Sequence, residues 1–111
     1  MAVRSVATFR VKPGAADRFE AAYREGQFLE RAVTNPGFIR GDLIRPDGDP
    51  DQFIVVAEWE TEADYRAWQA NYDQLPAGPT AAMFDALDGE PTSSLGTVIL
   101  AADRATTEPP A

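Results

Sequence analysis

Five consecutive apolar residues, Phe53-Ile54-Val55-Val56-Ala57, constrain the fold more than any other feature of the chain. A β-strand sends successive side chains to opposite faces of its sheet. A strand with one wet face therefore alternates, whereas an unbroken run of aromatic and β-branched residues reads as a strand covered on both faces. The strand around this run is expected over 52–60, bounded by the turn residues Pro46 to Asp51 and by Thr61. Helices of one small domain cover one face of such a sheet. The other face needs a further layer.

The remaining elements follow from period and punctuation. The 111 residues fit one domain. Val3 to Val11 alternates and reads as a strand, stopped by Lys12-Pro13-Gly14. A helix is expected over 15–33, with Phe19, Ala22, Tyr23, Gly26, Leu29 and Val33 as one apolar stripe. Thr34-Asn35-Pro36-Gly37 ends it, because a residue before Pro is pushed out of the helical region. A second strand over 38–45 meets the third through an Asp- and Gly-rich turn, so the two form an antiparallel hairpin. Thr61 caps a second helix, with Asp64 three residues on and with Tyr65, Trp68 and Tyr72 on one face. Leu75-Pro76-Ala77-Gly78-Pro79 breaks that helix. A short helix over 80–87 and a last strand over 95–102 complete a domain spanning 1–102. Residues 103–111 hold two prolines and no large apolar side chain, and are expected to form a flexible C-terminal tail.

Strand, helix, strand, strand, helix, strand is the split pattern of a ferredoxin-like α+β fold, βαββαβ, with a four-stranded antiparallel sheet. Helices on one side leave the other side bare. Two strands that are apolar throughout say that this side is not wet. A homodimer in which two sheets meet face to face resolves the conflict.

Composition excludes much chemistry. The chain has no Cys and no His, which removes thiol catalysis, disulfides, Cys/His zinc sites, a Ser-His-Asp triad and a His-ligated haem. Asp47-Gly48-Asp49-Pro50-Asp51 lacks the closing Glu of a calcium loop and reads as a turn, so no metal site is expected. Ten basic and eighteen acidic residues give a net charge of −8, which argues against nucleic acid or an anionic membrane as partner. No apolar run approaches the ~20 residues that span a bilayer, and the first five residues lack a signal-peptide layout. A cytoplasmic location is expected.

Three segments carry a family resemblance: Phe9-Arg10-Val11-Lys12-Pro13-Gly14, Asn35-Pro36-Gly37-Phe38, and the stretch from Glu58-Trp59-Glu60-Thr61 to Tyr65-Arg66-Ala67-Trp68. With the order of elements, they make the chain similar to antibiotic biosynthesis monooxygenase domains from about residue 3 to about residue 102. The resemblance implies a dimeric α+β barrel. Members of that family include enzymes that oxidise aromatic polyketide intermediates, such as anthrones, to quinones with O₂ and no cofactor. Others degrade haem, act on quinones, or have no assigned activity, and some relatives on the dimeric barrel are cyclases. Haem degradation needs an axial His that this chain lacks. In the oxygenase branch the pocket lies between sheet and helices, and its Trp and Tyr match Trp59 and Tyr65. That branch also carries an Asn four residues before the Trp and a His late on the second strand. Here those positions read Val55 and, counted from the Gly-Phe entry, Ile44.

Oxygenation without a cofactor requires a substrate that is itself the reductant. The protein must supply an apolar pocket, donors for a developing oxyanion, and an outlet for a proton. Trp59 and Tyr65 are the candidate catalytic residues. Trp68, Tyr72, Arg40, Phe9 and Val55 are the candidate substrate-binding residues, with Arg45 a further donor. Each also has a packing or ion-pair reading: core for the two Trp, helix end for Asn71 and Tyr72, ion pairs for Arg40 and Arg45. Glu58 precedes Trp59 and should face the other side of the sheet. The expected function is a cofactor-independent monooxygenase of an aromatic polyketide or quinone-type small molecule, an anthrone or hydroquinone. The alternatives are a polyketide cyclase or isomerase on the same fold, which needs no O₂, and a non-catalytic small-molecule-binding dimer module.

Overall fold

A computed structural model describes residues 2–71, 74–102 and 104. Tyr72 and all of the expected tail except Arg104 lie outside the described residues. In chain order the elements are β1 (Val3–Arg10), α1 (Ala16–Glu25), α2 (Phe28–Val33), β2 (Phe38–Ile44), β3 (Gln52–Trp59), α3 (Glu62–Ala70), α4 (Ala77–Asp85) and β4 (Thr92–Thr97). The four strands form one antiparallel sheet in the order β2-β3-β1-β4. This is the ferredoxin-like α+β arrangement, with the apolar β3 and the alternating β1 at its centre.

The helices lie on one face. Val3, Ser5 and Val11 from the first strand region, and Phe53, Ala57 and Trp59 from β3, are buried beneath them. Phe19 of α1 is buried against Phe53, with ring centroids 4.5 Å apart, and anchors one core cluster. Trp59, Tyr65, Val3, Ala57 and Ala32 form a second. On the opposite face Ile54 and Val56 are half-buried while Val6 and Ile44 are exposed. Ion pairs flank this apolar centre: Arg4 with Glu58 at 2.7 Å and Arg10 with Asp49 at 2.7 Å.

Four local features depart from the expectations. The helix expected over 15–33 breaks at Gln27, whose φ of 53° is left-handed. Gly26 permits the break, because a Cβ there would meet the Phe28 ring at 2.7 Å. After the break Phe28 and Ala32 take over the buried stripe, and Val33 faces solvent. The Pro/Gly segment read as a breaker instead starts α4: Pro76 is the N-cap, and Gly78 and Pro79 occupy the first turn. Backbone N–H groups there have no intrahelical partner, so proline forfeits nothing.

The last strand ends earlier than expected. β4 pairs with β1 down to Thr97 opposite Val3, and the Val98 N–H donates to the Ala2 carbonyl at 2.8 Å. Past that point Ile99 and Leu100 stand 82% and 90% exposed. Finally, β2 carries a bulge. Phe38 faces Trp59 and Arg40 faces Glu58, so Ile39 is an extra residue without a partner on β3. A bulge shifts the alternation by one. Gly41 and Leu43, register partners of Ala57 and Val55, therefore turn to the helix side, while Arg40, Asp42 and Ile44 turn to the outer face.

Candidate active site

A cavity of about 420 Å³ opens between the inner face of the sheet and the helices. Its sheet side is Ser5, Ala7 and Phe9 of β1 and Val55, Ala57 and Trp59 of β3. These residues recur at every second position, which is why one face of two paired strands presents them all. The helix side is Tyr65, Trp68 and Gln69 of α3 with Thr80, Met83 and Phe84 of α4, closed by Tyr23 and Phe28. The rim runs past the exposed Phe84, Thr92 and Ser93.

Local sequence sets the two aromatic walls. Thr61 caps α3: its Oγ1 accepts the Asp64 N–H at 3.1 Å and donates to the Asp64 carboxylate at 2.8 Å. This fixes the start of the helix, and Tyr65, Trp68 and Gln69 follow at steps of three and four on one face. Trp59, only 1% exposed, packs edge-on against Phe38 at 5.2 Å and lies 6.1 Å and 6.4 Å from the Tyr65 and Trp68 rings. Its indole N–H is buried and has no hydrogen-bond partner among the described residues. The hydroxyl of Thr80 is in the same condition. The Tyr65 hydroxyl accepts from Gln69 Nε2 at 2.9 Å, and Ser5 Oγ reaches the Ala57 carbonyl at 3.4 Å.

No Asp, Glu, Lys or Arg is among the described lining residues. The resolved pKa displacements belong to a pair outside the lining. A hydrogen bond from Arg10 holds the Asp49 carboxyl below its ordinary value, and the same contact raises Arg10. Among the described residues no group of three His, Cys, Asp or Glu is placed to hold a metal ion, and no helix is long and apolar enough to cross a membrane. The cavity can therefore hold a flat apolar body and donate hydrogen bonds to it from neutral groups.

Of the residues expected at the site, Trp59, Tyr65, Trp68, Phe9 and Val55 all line the cavity. Arg40 does not. The bulge at Ile39 sends it to the outer face, exposed and 3.9 Å from Asp42. Ile44 likewise faces outward, so it is not a cavity position. Arg45 lies in a separate polar groove, paired with Asp17 and Glu20 at 3.3 Å and held over the Phe53 ring. Glu58 is on the outer face with Arg4, and Asn71 donates to the Asn35 side chain at 3.2 Å. Tyr72 lies outside the described residues. Gln69, Thr80, Met83 and Phe28 escaped the sequence reading. Gln69 was recoverable as the i+4 neighbour of Tyr65, whereas Thr80 reads only as the first residue of the short helix expected over 80–87.

Solved structures similar to this chain show the same fold. A conserved protein from Methanosarcina mazei aligns at a TM-score of 0.73 and 19% identity, over 86% of this chain and 91% of its own. The Rv0793 protein of Mycobacterium tuberculosis aligns at 0.74 and 12%, over 93% and 100%. SnoaB of Streptomyces nogalater, a cofactor-independent oxygenase, aligns at 0.70 and 23%, over 90% and 95%. No curated protein matches by sequence. The family model for antibiotic biosynthesis monooxygenases matches residues 2–75, which takes in Trp59, Tyr65 and Trp68. The chain belongs to the antibiotic biosynthesis monooxygenase family.

Proposed function

We propose that the protein is a cofactor-independent monooxygenase that binds an electron-rich aromatic small molecule, of the polyketide or quinone type, in the cavity beneath α3 and α4. The observation that carries this reading is the buried indole N–H of Trp59, unpartnered among the described residues, in the wall of an apolar cavity beside Tyr65. A buried donor left unpaired is costly, and a ligand oxygen relieves that cost. Family membership and the fold shared with an oxygenase support the same reading.

The substrate does the redox work. An anthrone-type CH₂ next to a phenolic ring loses a proton, and the resulting anion passes an electron to O₂. The two radicals combine to a hydroperoxide, which loses water and leaves a carbonyl. The balance is CH₂ + O₂ → C=O + H₂O. Trp59 N–H and Tyr65 O–H stabilise the oxyanion as charge gathers on the ring oxygen. The described lining residues include no base, so the first proton leaves to water at the rim.

The same proposal includes a homodimer through the outer face of the sheet. Val6, Ile44, Ile54 and Val56 form its apolar centre, and the flanking arginines and acids already neutralise one another within the chain. A second copy covers that centre without stranding a charge.

Oxygen uptake with a panel of anthrones and dihydroquinones tests the reading. One O₂ consumed per quinone or anthraquinone formed is expected. The cavity also suits a cyclase or isomerase, a reading favoured by the apolar Val55 at a lining position and the lack of a described base. Product formed equally well under argon would establish that alternative and end the first.

A further inference from the structure

We infer that Thr80 is a specificity-determining residue, which selects ligands bearing a second oxygen at a distance from the one met by Trp59. The inference rests on the reading of the cavity as an aromatic-ligand site. A threonine within a helix ordinarily returns its hydroxyl to a carbonyl one turn back. Here the Thr80 backbone N–H bonds to the Pro76 carbonyl at 3.1 Å, yet the hydroxyl is buried without a partner among the described residues. Thr80 lines the cavity, and among the described residues Trp59 Nε1 is the other buried polar side-chain atom in this condition.

The two atoms differ in place and in chemistry. Trp59 belongs to β3 and forms part of the sheet side, whereas Thr80 belongs to α4 on the helix side. An indole N–H only donates, so it calls for a carbonyl or phenolate oxygen. A hydroxyl donates and accepts, so it takes either a carbonyl or a phenol. A ligand with one oxygen satisfies one of the two atoms. A flat bicycle with an oxygen on each ring carries two such groups.

Tryptophan fluorescence reports binding of two probes, 1-naphthol with one oxygen and 1,5-dihydroxynaphthalene with two. The wild-type protein should prefer the diol by about five- to ten-fold, the yield of one added hydrogen bond. Thr80→Val keeps the shape and removes the hydroxyl, and the preference should fall to near one. Thr80→Ser should restore it. The melting temperature of Thr80→Val should stay level or rise, because the hydroxyl bonds to nothing in the fold. A drop in melting temperature would give the hydroxyl a structural partner and overturn the inference. A diol preference that survives Thr80→Val overturns it too, while leaving the aromatic cavity standing. Failure of both probes to bind the wild-type protein removes the cavity reading and the inference together.

Discussion

Gln69 Nε2 donates a 2.9 Å hydrogen bond to the hydroxyl of Tyr65, one turn earlier on α3. The direction of this bond is set from the far side, since Gln69 Oε1 accepts from Arg66 Nη1 at 2.9 Å and so turns the amide nitrogen toward the phenol. The Tyr65 hydroxyl thus accepts a hydrogen bond from Gln69 and keeps its own O–H for the cavity. Exchanging the amide for a carboxylate reverses that polarity. Gln69→Glu should lower oxygen uptake by about ten-fold or more, as Tyr65→Phe should, with KM little changed. The double variant should lose no more than either single one. Multiplicative losses would show that the two do not act as a unit.

Trp59 combines packing and hydrogen bonding. Trp59→Phe keeps an aromatic ring against Phe38 but removes the N–H and leaves a gap. A stability loss of roughly 1–2 kcal/mol is expected in urea unfolding. Turnover should fall more steeply, on the order of 100-fold, as for the loss of one oxyanion donor. A variant with full turnover would release Trp59 to a purely structural role.

Gly37 has a φ of +83°, and a Cβ on it would run into the Asp64 carboxylate, which accepts from the hydroxyl of Thr61, the cap of α3. Gly37→Ala is therefore strained twice, and should cost roughly 2–3 kcal/mol. Adding Asp64→Ala should recover the steric part and leave the backbone part. Chemical denaturation of the two variants measures both.

The outer face makes a prediction about assembly. Val6→Asp puts a charge beside Val56, its register partner, on the face that Ile54 and Ile44 share. Sedimentation should show the wild-type protein at twice the 12.1 kDa chain mass and the variant at the chain mass, still folded. A wild-type protein that sediments as single chains at micromolar concentration removes the dimer.

Acid should act in part through Asp49. Its carboxyl titrates lower in the folded chain than in the unfolded one, because Arg10 and the Asp51 N–H bond to it. A depressed carboxylate adds stability that is full above its unfolded pKa of about 4 and fades as pH falls toward the folded value. Asp49→Asn should therefore be the less stable protein at pH 6, with the gap to wild type closing below about pH 4. A gap that is constant with pH would assign the loss to something other than charge.

The sequence by itself determined the fold class and the order of the strands along the chain, and five of the residues it put forward line the cavity. These are local matters. Alternation in Val3 to Arg10, the apolar run in β3 and the Thr61 cap each depend on near neighbours, and period alone tells which side chains share a face. Tertiary structure decided the rest. The bulge at Ile39 reverses the faces of Arg40 and Ile44, and the break at Gln27 replaces Val33 with Phe28 and Ala32 in the buried layer. Both depend on what packs across from them, not on residues a few positions away. The unpaired N–H of Trp59 and hydroxyl of Thr80 belong to the same class. Whether a polar atom finds a partner is settled by groups that meet only when β3 and α4 come together over the sheet.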